Sequence, residues 1–166
     1  MQIGYPEINV ASEINIDVNI GDKVAILGDN GQGKTTFMKT IAGDLPLKSG
    51  KYDWGYGLNV SYYAQHVYAE LHSKESVYSY LDSKAIRMTP RQEILDLAGS
   101  FLFRGVDVEK SVSILSGGER ARLCLAGLLL SRNPVLILDE PTNHLDFETV
   151  EAFANALKAF NGTVFL

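Results

Sequence analysis

The stretch that most constrains the fold runs from Lys23 to Ala42 and reads KVAILGDNGQGKTTFMKTIA. Its first residues, KVAIL, form a short apolar run, which is typical of a strand buried on both faces. A glycine-rich loop follows at Gly28, and a helical pattern from about Lys34 to Ala42 is ended by Gly43. A buried strand that leads through a glycine-rich loop into a helix predicts an α/β fold with a parallel sheet.

The loop GDNGQGKTT has the spacing G-x-x-x-x-G-K-[ST] between a strand and a helix. Glycines let successive backbone N–H groups surround phosphates, and the positive end of the following helix faces the same anion. We expect Lys34 to reach the β- and γ-phosphates, Thr35 to ligate Mg²⁺, and Thr36 to help hold the α-phosphate side. The predicted nucleotide-binding residues of the loop are Gly28, Asn30, Gly31, Gln32, Gly33, Lys34, Thr35 and Thr36.

A second motif, VLILDEPTNHLD, runs from Val135 to Asp146. Its apolar strand delivers Asp139 at the carboxyl end, where a carboxylate can hold Mg²⁺ next to the phosphates. Glu140 follows directly and is placed to polarise an attacking water as general base. Taken alone, the two acids could equally be a solvated strand exit. Beside an intact phosphate loop, the catalytic interpretation is favoured.

Three further segments have strand patterns. EINIDVNI, Glu13–Ile20, alternates apolar and polar residues with the period of a half-buried strand. Short strands around Lys51–Trp54 and Asn59–Ala64 carry closely spaced aromatic residues and are typical of an antiparallel meander.

Helical patterns fill the middle and the end of the chain. The segment His72–Arg104 is predicted to be helical, with one helix starting at Thr89 as the N-cap and Gln92 as its capping-box partner. A further helix is expected over about Phe147–Phe160, followed by a strand that begins at Thr163.

The helix that follows ILSGGERARL begins with two glycines, which are poor helix formers at about 1 kcal/mol each relative to alanine. Ser116 and Glu119 have the spacing of a capping box, which explains those two residues. It does not explain Gly117 and Gly118. Glycines there would allow another molecule to approach the backbone N–H groups at the helix end, which form an intrinsic anion site.

Composition sets limits on the setting. A chain of 166 residues with 46% hydrophobic and 21% charged residues is ordinary for one globular domain. Its net charge of -5 argues against broad clamping of nucleic acid. The single cysteine, Cys124, excludes a disulfide framework, favours a buried core thiol and fits a reducing compartment such as the cytoplasm. No signal peptide opens the chain, and the apolar run Leu123–Leu130 is far shorter than the ~20 residues that a membrane span needs.

The motifs GDNGQGKTT, SYYAQ, LSGGE and LILDEPTNHLD, in this order, resemble the nucleotide-binding domain of ATP-binding-cassette (ABC) proteins over essentially the whole chain. DEPTNHLD and the short interval between Gln65 and Ser116 are similar to the ABC-F class, soluble twin-cassette proteins that act on ribosomes; LSGGERARL is more like their second cassette. The resemblance implies a P-loop NTPase fold with a RecA-like core, an antiparallel β subdomain near the N-terminus and a helical subdomain over about 71–112. It also implies a single nucleotide-binding domain, 1–166, that is incomplete at its C-terminus.

The resemblance assigns ATP and Mg²⁺ as ligands and a second cassette as partner, in the same polypeptide or as a homodimer. In this family two cassettes pack head to tail, and the LSGGE helix of one closes over the γ-phosphate bound by the other. Ser116, Gly117 and Gly118 would therefore contact the partner's ATP, and Asp146 would line the interface between cassettes.

The resemblance gives roles to two more residues. Gln65 would contact Mg²⁺ or the lytic water, although it could be an ordinary strand-end amide. Tyr5 would stack on adenine, although an aromatic residue before proline could be plain edge packing.

The family's switch histidine would follow the strand that begins at Thr163 by a few residues and is absent from this chain. We therefore expect this chain alone to hydrolyse ATP weakly or not at all. The full-length protein is expected to bind ribosomes and not to insert into a membrane. Two alternatives stay open: the ATP-binding subunit of a membrane transporter, and a DNA-repair or chromosome-organising ATPase, which normally has a long coiled coil that this chain lacks.

Overall fold

The computed structural model describes residues 1–64, 71, 74–143 and 145–166. The chain divides into two compact units. The core unit comprises Met1–Ala64, Asn133–Glu140 and Asn161–Leu166, and the helical unit comprises Gln65–Arg132 and Pro141–Phe160. The predicted helical region, 71–112, thus falls in the helical unit, which also contains the helices that follow it.

A short hairpin opens the core unit. Strands β1 (Ile3–Tyr5) and β2 (Ile8–Ala11) pair antiparallel, with Tyr5 opposite Ile8. The resemblance implied antiparallel strands near the N-terminus, and this hairpin agrees with that expectation. The residue pattern alone did not indicate it, because its strands are too short for a period to show.

The main sheet of the core unit has four parallel strands: β3 (Lys23–Val24), β4 (Val60–Tyr63), β5 (Val135–Leu138) and β6 (Thr163–Phe165). Their order is β3-β6-β5-β4, so the completely buried β5 is central. A parallel sheet beside a phosphate-loop helix confirms the predicted α/β, P-loop NTPase fold.

Helix α1, Lys34–Ala42, has the predicted bounds. Gly43 ends it with a left-handed backbone, φ 89°, a conformation that glycine adopts without steric cost. The buried face of α1 contributes Met38 and Ile41 to a cluster with Val135, Ile137 and Phe165. This packing fixes the helix whose first turn closes the phosphate loop.

The predicted strand Glu13–Ile20 is wrong. Glu13 has a left-handed backbone, φ 57°, which interrupts the extended chain after β2. Ile14 exchanges backbone hydrogen bonds with Met1, but the segment pairs in no regular ladder, and Ile20 is 81% exposed. An alternating pattern specifies the two faces of a strand and not a hydrogen-bonding partner, which is why it misled here.

The predicted strand KVAIL is shorter than expected and is not buried on both faces. Regular pairing covers Lys23–Val24, the amide of Ile26 still donates to the carbonyl of Leu166 at 2.7 Å, and Leu27 is 89% exposed.

The predicted antiparallel meander is also wrong. Lys51–Trp54 is irregular, although the Trp54 indole donates to the carbonyl of Ile41 at 2.9 Å and packs edge-on against Phe165. The second predicted strand exists as β4 but pairs in parallel with β5. Trp54, Tyr62 and Tyr63 therefore pack in or against the core, and the spacing of aromatic residues does not indicate strand direction.

The helical unit contains α2 (Val77–Lys84), α3 (Arg91–Ser100), α4 (Gly117–Leu130) and α5 (Phe147–Ala159). The last two confirm predicted helices, whereas the segment predicted to be helical from His72 to Arg104 contains two helices separated by the non-helical residues 85–90, and His72 lies outside the described residues. Helix α4 packs closely on α2 at Gly127, where an added Cβ would lie 3.0 Å from Tyr80 Cε1. Phe101 and Phe153, both buried, meet edge to face with ring centroids 6.4 Å apart. Aromatic pairs of this geometry hold α5 to the end of α3.

One predicted helix start is wrong in detail. Pro90 is the N-cap of α3, and the Thr89 hydroxyl donates instead to the carbonyl of Ile86 at 2.7 Å. Gln92 donates to Asp96, one turn along the helix, and not to the cap.

The expectations for Cys124 and for membrane spans can also be compared with the structure. Cys124 is partly buried on α4, and burial raises the pKa of its thiol, as befits a core residue. None of the helices in the described ranges has the length and apolar character needed to cross a membrane.

Candidate functional site

The phosphate loop of the core unit depends on glycine for its shape. Gly31 and Gly33 have left-handed backbones, with φ 83° and 90°. At Gly33 a Cβ would lie only 2.3 Å from Cγ1 of Val10 on β2, so any side chain there would clash with the hairpin. The glycine pattern is thus explained by the backbone path and by a close neighbour within the unit.

Side chains of the phosphate loop form hydrogen bonds with backbone groups of the loop and with each other. The Asp29 amide donates to Gln32 Oε1 at 3.1 Å, and Gln32 Nε2 donates to Asp29 Oδ2 at 3.3 Å. Lys34 Nζ donates to the carbonyls of Gly28 and Asp29 at 2.7 and 2.9 Å, which holds the ammonium over the loop. Asp29 was not among the residues predicted for the loop, and its spacing to Gln32 is the signal in the sequence for this contact. The predicted contacts of Asn30 and Gln32 with nucleotide stay predictions.

The metal-binding residues predicted from the two motifs lie together. The phosphate loop follows β3 and Asp139 follows β5, so both lie at the carboxyl ends of parallel strands. The Thr35 hydroxyl donates to Asp139 Oδ1 at 3.1 Å. On the other side, the Tyr62 hydroxyl lies 3.4 Å from Asp139 Oδ2. Burial, followed by the charge of Asp139, raises the pKa of Tyr62, so its phenol stays a proton donor.

Asp139 is a buried carboxylate, only 1% exposed. The ion pairs found in the described part of the chain do not include it, and its two oxygens face neutral hydroxyl groups. A buried charge is costly unless a counter-charge compensates it, and a hydroxyl plus a carboxylate are oxygen ligands of the kind Mg²⁺ prefers. Thr35 and Asp139 supply two such oxygens, a set that suits Mg²⁺ which also binds phosphate oxygens and water.

Glu140 follows Asp139 with a left-handed backbone, φ 49°. A non-glycine residue in this region costs about 1–3 kcal/mol and is concentrated at functional sites. The side chain is partly buried. Its predicted role as general base stays a prediction.

Two more predicted nucleotide contacts lie in the core unit. Tyr5 ends β1 and is 42% exposed, so its ring is accessible for stacking. Thr36 is buried in the first turn of α1, and its carbonyl accepts from the Thr40 hydroxyl at 2.8 Å. Gln65 lies outside the described residues.

The LSGGE residues begin α4 in the helical unit. The predicted capping box is confirmed: the Ser116 amide donates to Glu119 Oε2 at 2.8 Å, and the Glu119 amide donates to Ser116 Oγ at 3.3 Å. The hydrogen bond from the Ser116 amide is the main cause that lowers the pKa of Glu119. Gly117 and Gly118 are the first two residues of the helix and have helical backbone, so the chain conformation does not require glycine at either position.

Asp146 has a structural role that the sequence analysis did not identify. It is the N-cap of α5, where Oδ1 accepts from the Thr149 amide at 2.8 Å, and Oδ2 accepts from Arg122 of α4 at 2.9 Å. The bond from Thr149 is the main cause that lowers the pKa of Asp146. The signal was Asp three residues before Thr at a helix start. The predicted place of Asp146 at an interface between cassettes stays a prediction.

Comparisons with known proteins agree with this geometry. The profile of the family described as ABC transporter matches residues 11–143. The probable ATP-binding protein YbiT of Escherichia coli O157:H7 is 34% identical over 161 residues, which cover 97% of this chain and 30% of that relative. The chain spans less than a third of the length of the curated relatives it matches.

Solved structures show the same fold. A putative ABC transporter (ATP-binding protein) from Pyrococcus furiosus superposes with a TM-score of 0.82 at 24% identity, covering 99% of this chain and 87% of that one. A chain in the crystal structure of archaeal ribosomal stalk protein aP1 with archaeal ribosome recycling factor aABCE1 gives a TM-score of 0.74 at 29% identity, covering 89% and 29%. The family profile spans most of the sequence, and the phosphate loop follows a strand of the parallel sheet. The chain therefore belongs to the ABC transporter family, as an ATP-binding cassette.

Proposed function

We propose that this chain is a Mg²⁺-dependent ATP-hydrolysing cassette of the ABC-F type, the second of two, which works head to tail with another cassette. The observation that supports this best is the contact between the Thr35 hydroxyl and Asp139 Oδ1, 3.1 Å apart, at the mouth of the phosphate loop. It puts a metal-ligating hydroxyl and carboxylate beside the lysine and amides that would hold the phosphates.

Each residue of the core unit has a distinct part in this proposal. Lys34 exchanges its loop carbonyls for the β- and γ-phosphates, and Thr35 and Asp139 hold Mg²⁺, which when bound neutralises charge on the phosphate oxygens. Glu140 orients the attacking water and accepts its proton as the water oxygen bonds to the γ-phosphorus. The bond from that phosphorus to the β–γ bridging oxygen breaks, and ADP and phosphate leave. Tyr5 stacks on the adenine.

The helical unit supplies the other half of a composite site. In the proposal, Ser116, Gly117 and Gly118 contact the γ-phosphate held by a partner cassette, because backbone amides at a helix start bind anions. Asp146 contributes to the same interface. This chain alone therefore binds ATP but hydrolyses it slowly.

The ribosome is the proposed partner of the whole protein, in the cytoplasm. Support comes from the resemblance of DEPTNHLD to the ABC-F class and from the likeness to a chain in a structure that pairs a ribosomal stalk protein with a ribosome recycling factor. A second candidate, the ATP-binding subunit of a membrane transporter, is favoured by the description of the family profile. Association with ribosomes separates the two.

Lys34→Ala tests the proposed nucleotide site. Loss of the ammonium removes charged hydrogen bonds to two phosphates, so ATP affinity measured by calorimetry should fall roughly 100-fold or more. Lys39→Ala is the matched control, because Lys39 lies in the last turn of the same helix. Unchanged affinity in Lys34→Ala, or an equal loss in Lys39→Ala, would overturn the site.

A further inference from the structure

Tyr62 lies on β4, next to the strand that delivers Asp139. In the parallel register Tyr62 is opposite Ile137 and Tyr63 is opposite Leu138, and the Asp139 amide donates to the Tyr63 carbonyl at 3.0 Å. The backbone of Asp139 is therefore fixed to β4. The Tyr62 hydroxyl then reaches Asp139 Oδ2 at 3.4 Å.

The two oxygens of Asp139 consequently have different neighbours. Oδ1 accepts from Thr35, the loop residue with a metal-ligating hydroxyl, whereas Oδ2 accepts from Tyr62. A buried carboxylate with one oxygen held by a fixed donor has lost most of its freedom to rotate. The oxygen that remains beside Thr35 is the one that can meet a cation.

We infer that Tyr62 is a positioning residue for the divalent cation, which it serves by holding Asp139 Oδ2 so that Oδ1 is presented beside Thr35. The inference rests on the proposed ATP and Mg²⁺ site. Tyr62 acts through Asp139 and touches neither metal nor nucleotide. Residues that orient a metal ligand in this way typically change metal affinity about 10–100-fold when removed. The long 3.4 Å contact points to the lower end of that range.

Tyr62 also packs against the buried cluster of the core unit, so the test must separate packing from hydrogen bonding. Tyr62→Phe keeps the ring and removes only the hydroxyl. ATP affinity would be measured by fluorescence titration, once in EDTA and once over a series of Mg²⁺ concentrations. We expect the affinity in EDTA to stay within about 2-fold, while the Mg²⁺ concentration for half of the maximal enhancement rises about 10-fold.

Two further variants complete the test. Tyr56→Phe removes a hydroxyl from a fully exposed tyrosine and should leave both measurements unchanged. Asp139→Asn should remove most of the response to Mg²⁺, which gives the full range of the signal. A thermal melt of each variant establishes that it is folded.

The outcomes are separable. A wild-type chain that does not bind ATP in either condition overturns the proposed function and this inference with it. A wild-type response to Mg²⁺ that Tyr62→Phe retains in full overturns the inference alone. Equal loss of affinity in EDTA and in Mg²⁺ assigns Tyr62 to packing and also overturns it, as does a wild-type Mg²⁺ response in Asp139→Asn.

Discussion

The glycines of the phosphate loop and those of the LSGGE helix have different explanations. Gly31 and Gly33 have left-handed backbones, and Gly33 has no room for a Cβ against Val10. Gly117 and Gly118 have helical backbone, and the turn they begin is already capped by side chains. The first pair is required by the fold of its own unit. The backbone conformation of the second pair does not require glycine, and this difference directs attention to a molecule outside the chain.

Asp139 of the core unit and Glu119 of the helical unit also have different surroundings. Asp139 is buried, and in the described part of the chain its carboxylate accepts from the hydroxyl groups of Thr35 and Tyr62. Glu119 already accepts from the Ser116 amide and stabilises the helix start that it shares with the two glycines. We therefore expect the first region to bind a cation and the second to offer its helix-start amides to an anion.

The largest effect should come from Glu140→Gln in a protein that contains both cassettes. The amide cannot accept a proton from water, so turnover should fall by about 10²–10⁴-fold while ATP stays bound. Phosphate release and ATP affinity would be measured in parallel. Glu151→Gln is the control, because Glu151 is an exposed acid on α5. Turnover at the parent rate in Glu140→Gln would refute the general-base role.

The same variant distinguishes the two candidate functions. If the protein is of the ABC-F type, Glu140→Gln trapped with ATP should co-sediment with ribosomes more strongly than the parent. A transporter subunit should not, and it should instead be retained by membranes that carry its partner.

Much of the core unit could be predicted because its signals are local. Gly33 precedes α1 and Gly43 ends it, and the apolar run before Asp139 is long enough to identify β5. The proximity of Thr35 to Asp139 follows from the rule that parallel strands share a carboxyl edge.

What the sequence did not reveal depends on contacts between distant segments. The alternation in Glu13–Ile20 predicted a strand, but Glu13 adopts a left-handed backbone and the residues beyond it find no ladder. The Arg122–Asp146 ion pair and the contact from Tyr62 to Asp139 join residues 24 and 77 positions apart. The periodicity of apolar residues within one segment cannot indicate contacts between such distant residues.

Gly118→Asp should have the next largest effect and bears directly on the glycine comparison. A carboxylate there would repel the partner's γ-phosphate and crowd the amides, so turnover of the two-cassette protein should fall by about 10²–10³-fold. Binding of ATP by the chain's own phosphate loop should be unchanged. Gly99→Asp adds the same charge to α3, where a Cβ would meet nothing within 4 Å, and should leave turnover near the parent rate. Full activity in Gly118→Asp would remove the case for a composite site.

The smallest predicted effect concerns the charge on Glu119. Its pKa in the folded protein lies below the ordinary value of 4.5, chiefly because of the Ser116 amide. A lowered pKa means that the charge stabilises the fold above pH 4.5 and that this contribution is lost as the pH falls through the folded pKa. Glu119→Gln keeps a capping side chain and removes the charge, so the free energy of unfolding near pH 7 should fall by about 0.3–1 kcal/mol.

Denaturant unfolding of wild type and Glu119→Gln from pH 7 to pH 3 measures this difference, which should shrink toward zero at the acidic end because both side chains are then neutral. Glu109→Gln is a suitable control, since Glu109 lies outside α4, and its difference from wild type should not follow the same course. ATP affinity at neutral pH should be equal in all three proteins, because the phosphate loop belongs to the other unit. A difference between wild type and Glu119→Gln that is constant with pH would show that the carboxylate charge contributes nothing at this helix start.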